Sequence, residues 1–254
     1  MITDTEGIVL RQVKAAGGRR MVLLFSRKFG KISVGSSAAE GGKSKSALAI
    51  RPYTYGKYEL FKGRDSYNMN SGQVLKSYYS FGEDLDKYMA ASYVLELTEK
   101  LLTEELPQPG VFKLLLSFME ALEKRRKKQD TLVMAYIVKL LDTLGTMPVL
   151  DECVCCGGSV GGHFFSVAEG GIICEKCVKT FEESNTNEAL IYRVNFGIVD
   201  ILKYFRKEPF SAFEKIALDD AILKKLNSIM KSWMAYHFDI GKLKSEGFSV
   251  TEPI

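Results

Sequence analysis

The hydrophobic period changes once along this chain, near Gly82, and that change limits the fold more than any other feature. Before it lie short runs rich in Val, Ile, Leu, Tyr and Phe: Glu6 to Val13, Met21 to Phe25, Gly30 to Gly35, Tyr53 to Phe61, and a weaker stretch near Tyr67. Turn-formers separate them at Gly17-Gly18, Ser36 to Gly42 and Lys62-Gly63-Arg64. Strands without intervening helical periods predict a small barrel or sandwich. Gly56 breaks the alternation between Tyr55 and Tyr58, as a β-bulge does. The stretch Ser36 to Ser46, rich in Gly, Ser and Ala, reads as a loop.

Beyond Gly82 apolar residues recur at three- and four-residue spacing, which predicts helices. The first runs through Leu85, Tyr88, Met89, Tyr93 and Leu95, and Pro107 and Pro109 end it. A second is expected from Val111 to about Arg125, and a third, capped by Asp130, to Leu144 with Gly145 as its stop. Ala189 to Tyr204 reads as helical. Asp219 offers a cap for a last helix with apolar positions Ile222, Leu226, Ile229, Met230, Trp233 and His237.

The charge divides along the same line. Residues 1–80 carry 14 Lys/Arg against five Asp/Glu, a balance of +9, whereas the remainder balances at −5. Opposite signs point to two structural units, the first facing a polyanion. The cations Arg11, Lys14, Arg19, Arg20, Arg27, Lys28, Lys31, Lys43, Lys45 and Arg51 fall mostly at strand ends and turns, with Phe29, Tyr53, Tyr55 and Tyr58 among them. Small barrels hold single-stranded nucleic acid in this way, with a cationic groove for phosphates and aromatic faces for bases. Most of these aromatics are expected in the core. A separate run, Lys124-Arg-Arg-Lys-Lys128, fits either a helix C-terminus or a site for an acidic partner.

Cys153-x-x-Cys156 and Cys174-x-x-Cys177, 17 residues apart, form the strongest chemical signal. Two such knuckles converge four thiolates on one tetrahedral ion, and Zn2+ is the expected occupant. Disulfides would need an oxidising compartment, and a redox pair would need a βαβ setting. Four thiolates close the coordination sphere, so the zinc, one per chain, would be structural. Cys155 reads as a bystander, with His163 as a candidate substitute ligand.

No catalytic constellation is present. Gly41-Gly42-Lys43-Ser44 resembles the end of a phosphate-binding loop, but Ser37 stands where its first glycine belongs. Two His, no H-E-x-x-H and no G-x-S-x-G leave hydrolase chemistry without residues. The longest apolar run, Leu132 to Val138, is too short for a membrane helix, and the N-terminus does not read as a secretory signal. A soluble, cytoplasmic, non-enzymatic binding protein is the expectation.

Leu140 to Gly157, through Gly145-Thr-Met-Pro148 and Cys153-Val-Cys-Cys156, resembles the start of the zinc module of the bacterial RecO family. So do Gly7-Ile-Val-Leu10, Phe29-Gly-Lys-Ile32, Ala91 to Leu97, Pro109 to Leu116 and Gly241 to Ser245, in the right order over nearly the whole chain. The resemblance implies an α+β multidomain chain: an N-terminal OB-fold barrel (1–80), an α-helical domain (81–149 and 182–254) and an inserted four-cysteine zinc module (150–181). It also implies a nucleoid-associated recombination mediator that binds single- and double-stranded DNA and anneals complementary strands. With RecR, such a protein would help load RecA onto DNA coated by single-strand-binding protein, whose acidic C-terminal tail many members recognise. The chain departs from the family pattern at Ser36-Ser-Ala-Ala-Glu40, where a Lys/Arg-rich loop is usual, and at Glu246, where a basic residue is usual. Two other readings compete: a zinc-containing interaction adaptor with incidental DNA contact, and a zinc hydrolase with an open metal position.

Overall fold

The inward-facing apolar residues of the first five strands fill a closed barrel. The computed structural model describes residues 1–15, 19–37, 44–64, 66–158, 164–183 and 190–245. Strands β1 (Ile2–Lys14), β2 (Arg20–Ser26) and β3 (Gly30–Ser36) form a meander; a short helix α1 (Lys45–Ala49) leads to β4 (Thr54–Lys62) and β5 (Tyr67–Ser77). The order β1-β2-β3-β5-β4 closes the sheet, with β3 and β5 parallel and the other pairs antiparallel. This is the OB-fold arrangement. Val9, Val22, Leu24, Ile32, Val34, Tyr58, Leu60 and Tyr67 fill the interior, and Ala49 and Ile50 bring the α1 end of the chain into it.

Gly56 sits at the expected bulge, where the β4–β5 register shifts between Tyr55 and Gly56. A Cβ there would stand 2.7 Å from the Gln73 carbonyl oxygen. Gly30 closes the β2–β3 turn at φ 68°, and a Cβ on it would run into the backbone of Leu106. That contact follows from Leu102 to Gln108, which docks on β3 through a parallel bridge between Lys31 and Glu104.

The chain divides into two units, the first Met1–Lys124 with Leu243–Phe248, the second beginning at Arg125. The first unit thus takes in the barrel and the helices that follow it up to Lys124. The cause is the outer face of β1 and β2. Ile8, Leu23 and Phe25 point away from the barrel interior and are buried all the same. Helices α2 (Leu85–Leu101) and α3 (Pro109–Lys124) belong to this unit, and Phe112 of α3 packs edge-on to Phe25 with ring centroids 5.4 Å apart. Asp84 caps α2 by accepting from the Lys87 N–H at 3.1 Å.

The second unit begins with α4 (Gln129–Thr143). Asp130 lies in its first turn rather than at the cap; Lys128, left-handed at φ 57°, holds that position without a side-chain cap. Gly145 ends the helix as expected, its N–H bonding the Asp142 carbonyl. A small sheet of β6 (Phe164–Ser166), β7 (Gly171–Ile173) and β8 (Ile191–Arg193) has the order β7-β6-β8, with α5 (Glu175–Glu183) following β7. The helix expected over 189–204 begins only at Phe196, because Ile191 and Tyr192 pair with β6 and Asn195 is the true cap of α6 (Phe196–Lys207). Asp219 caps α7 (Asp220–Phe238), accepting from the Ala221 N–H. Leu223 and Met234 are buried in α7, whereas Ile222 and His237 are not.

Candidate metal centre and nucleic-acid face

The two Cys knuckles come from a turn after Leu150 and from the start of α5. Within the first, the Gly157 N–H bonds the Cys153 carbonyl at 2.8 Å and the Cys153 N–H bonds the Gly158 carbonyl at 3.0 Å. The knuckles are tied by the Cys174 N–H, which donates to the Cys153 Sγ at 3.3 Å. Ile173 and Val178 are buried around Cys153, with Phe164, Phe181 and Ile191 packed against them.

The Sγ atoms of Cys153, Cys156, Cys174 and Cys177 all lie within 4.8 Å of one another, and those of Cys156 and Cys174 are 3.9 Å apart. Tetrahedral thiolates at about 2.3 Å from one ion are about 3.8 Å apart, so this set fits a metal ion. All five cysteines are free thiols, and the exposed Cys155 is outside the converging set. Residue 163, the substitute ligand, lies outside the described residues.

The thiols are already unequal. Burial pushes Cys153 up, but the N–H groups of Cys174, Cys156 and Cys155 outweigh it and bring the thiol down to about 6. The Cys177 N–H also lowers Cys174, whereas the neighbouring Cys174 side chain pushes Cys177 up. Four adjacent thiolates repel, so the last proton leaves readily only when a cation takes its place.

The basic residues do not form one patch. Strand direction places the β1–β2 connection, the segments flanking α1 and the end of β5 on one rim of the barrel, and the β2–β3 and β4–β5 turns on the other. Lys14, Arg19, Arg20, Lys45 and Arg51 belong to the first rim, Arg27 and Lys28 to the second. Arg20 is buried at 6% exposure, while Lys14, Arg19, Arg27, Lys28 and Lys45 are exposed. Arg27 pairs with Glu6 at 3.0 Å and lies over the Phe112 ring. Lys43 lies outside the described residues.

Arg11 and Lys31 lie on the barrel wall against α2. The Arg11 Nε is 2.9 Å from both carboxylate oxygens of Glu99, and the Lys31 Nζ donates to the Glu99 carbonyl at 2.8 Å. Of the aromatics, Tyr58 is core, its hydroxyl donating to the Ala49 carbonyl at 2.8 Å. Phe29 packs against the same core. Tyr55 donates to Glu6, and Tyr53 shares a hydrogen bond with Ser92.

A family model described as Recombination protein O N terminal matches residues 1–78, and one described as Recombination protein O C terminal matches residues 82–247. The chain belongs to the RecO family. The DNA repair protein RecO of Alkaliphilus metalliredigens is 28% identical over 240 residues, 94% of this chain and 95% of that protein. The protein of the same name from Caldanaerobacter subterraneus is 26% identical over 97% of this chain and 96% of its own. That from Listeria monocytogenes is 31% identical over 79% of this chain and 75% of its own. DNA repair and recombination are thus the processes that name this RecO-family chain's relatives. None of its described helices is long and apolar enough to cross a membrane.

Two parts of this RecO-family chain escape sequence reasoning. Arg125, in the run read as solvated or partner-binding, is turned inward. Its Nε donates to the Lys128 carbonyl at 3.0 Å, and its two terminal nitrogens to the Phe213 and Ile216 carbonyls at 2.6 Å each. Lys128 pairs with Asp220 at 2.6 Å and is exposed, as are Lys124, Arg126 and Lys127. The other is Glu96 of α2, which accepts from the Lys244 and Ser245 N–H groups and the Ser245 hydroxyl at 2.6 to 2.9 Å. The resemblance covered both segments, but nothing in their composition pairs them.

Proposed function

We propose that this chain mediates recombination in DNA repair by binding single- and double-stranded DNA and annealing complementary strands. The observation that carries the reading is a closed barrel with exposed cations on both rims in a chain that matches the RecO family along nearly its whole length. Arg19, Lys14 and Lys45 on one rim and Arg27 and Lys28 on the other would neutralise phosphates of two strands. Lowering their mutual repulsion lets complementary bases meet, and the release of counterions drives binding. Nothing in this scheme breaks a covalent bond. RecR and the C-terminal tail of single-strand-binding protein are the protein partners proposed, with RecA loading as the outcome.

Cys153, Cys156, Cys174 and Cys177 would hold Zn2+, the ion that four thiolates in tetrahedral array suit best. The ion would staple the two knuckles. With four protein ligands it has no open position for water, which sets the hydrolase reading aside. Residues 150–181 act in this proposal as a folding module, and the barrel 1–80 as the DNA-binding part.

The test is annealing of complementary oligonucleotides, bare and coated with single-strand-binding protein, by the wild type and by an Arg19→Glu, Lys45→Glu double variant. The wild type accelerates annealing and the variant loses most of that acceleration. Equal rates would remove this rim from the mechanism. One observation favours the adaptor reading: Glu99 already occupies Arg11 and Lys31. Absence of annealing with intact binding of RecR would decide for it.

A further inference from the structure

Tyr79 is missing from the aromatics that the sequence pattern singles out, yet it is the most exposed tyrosine among the described large apolar residues, at 62%. It is also rigidly mounted. It opens a 3-10 turn, Tyr79–Glu83, between two fully buried anchors, Tyr78 and Phe81, whose rings pack 5.5 Å apart. The Tyr78 N–H bonds the Tyr53 carbonyl at 3.0 Å, the Phe81 N–H bonds the Tyr78 carbonyl at 3.0 Å, and the Tyr79 N–H bonds the Ser77 Oγ at 3.3 Å. The backbone carrying the ring is therefore fixed on both sides.

One face of that ring is already used. The guanidinium carbon of Arg51 lies 5.5 Å from the Tyr79 centroid. Arg51 follows α1, and its N–H bonds the Leu48 carbonyl, so the cation is held by the same rim. That rim also carries Lys14, Arg19 and Lys45. Exposed apolar side chains scattered singly need no explanation, and Leu85, exposed at 68%, is one of these. Tyr79 differs because a cation backs it and further cations share its rim.

We infer that Tyr79, backed by Arg51, is a stacking platform for one unpaired nucleobase. The inference rests on the DNA-binding reading above and names a subsite within it. A base lying on the free face of the ring would complete a layered stack of guanidinium, phenol and base, in which the Arg51 charge strengthens the attraction and its remaining N–H groups face the adjoining phosphate. Every base has such a face, so the platform is indifferent to sequence. In a duplex both faces of each base are covered by neighbouring pairs, so the platform acts on single strands only.

The experiment is fluorescence anisotropy with a labelled thymidine oligonucleotide and a labelled duplex of the same length, using the full chain with Tyr79→Ala and Tyr79→Phe. Removing one base stack costs about ten-fold in single-strand affinity, and the duplex should change by less than about two-fold. Tyr79→Phe keeps the ring and should bind as the wild type does. Tyr79→Ala binding single strands like the wild type would overturn the inference, as would equal losses on single strand and duplex. So would a Tyr79→Phe loss matching that of Tyr79→Ala, which would mean a phenol hydrogen bond instead. A wild type that binds neither probe would overturn the DNA-binding reading itself, a result distinct from these.

Discussion

Replacing Arg125 by Met removes the guanidinium and keeps most of the aliphatic stem. Three hydrogen bonds are lost, at 3.0, 2.6 and 2.6 Å, all to backbone carbonyls and none to a carboxylate. Hydrogen bonds from charged donors contribute about 1.5–3 kcal/mol each, so their gross loss is about 6 kcal/mol. Against it stands the cost of burying an ion, which the variant no longer bears and which is itself several kcal/mol. The net destabilisation is about 3 kcal/mol, concentrated in the unit that begins at Arg125. With a urea m-value of about 3 kcal/mol/M, the midpoint of that unit should fall by about 1 M. Arg125→Lys keeps the charge but not the fork and should lie between the two. The assay is urea unfolding of the full chain followed by circular dichroism, with Trp233 fluorescence reporting the second unit. A loss below about 1 kcal/mol would refute the reasoning, since the carbonyls would then be satisfied by water as well as by Arg125.

Cys174→Ser should lower bound zinc from one ion per chain to a weakly held fraction, and should melt the knuckle region before it alters oligonucleotide affinity; unchanged melting on zinc removal would contradict the staple role. The attachment of Lys244 and Ser245 to Glu96 should be lost in acid. Burial raises the Glu96 carboxyl, but the Ser245 hydroxyl, the Lys244 and Ser245 N–H groups and Lys100 together hold it below its ordinary value. A carboxyl lower in the folded state stabilises above its unfolded value and loses that contribution as pH falls through the folded one. Protection of the Lys244 and Ser245 amides should thus be high at neutral pH and be lost only in acid below the ordinary glutamate range, whereas Glu96→Gln should lower it at every pH. Exchange that is fast at neutral pH would rule the attachment out.

The barrel was legible because its strands are short runs rich in Val, Ile, Leu, Tyr and Phe and its turns are rich in Gly and Ser. All five strands and the Gly56 bulge lie where the pattern puts them. The four-cysteine cluster was legible for a different reason: each knuckle needs its residues close in sequence. What the sequence concealed are contacts between distant segments. Met21-Val-Leu-Leu-Phe25 is apolar on both faces, the mark of a strand covered on each side. That signal marks the strand whose outer face meets Phe112 of α3. No comparable signal exists for Arg125, two of whose three carbonyl partners are contributed from far along the chain. Asp130 misled because an acid in a first turn satisfies the helix dipole as well as a cap does. The stretch 189–204 misled because Ile191 and Tyr192 suit a strand and a helix equally.

The role proposed for the barrel's exposed cations is to hold nucleic-acid backbones. The most direct test is the salt dependence of oligonucleotide affinity for the full chain. About four phosphate contacts predict a slope near −3 in log affinity against log salt, reduced by about 1 or more when Arg19 and Lys45 become Glu. A flat slope for the wild type, or one the double variant leaves untouched, would contradict it.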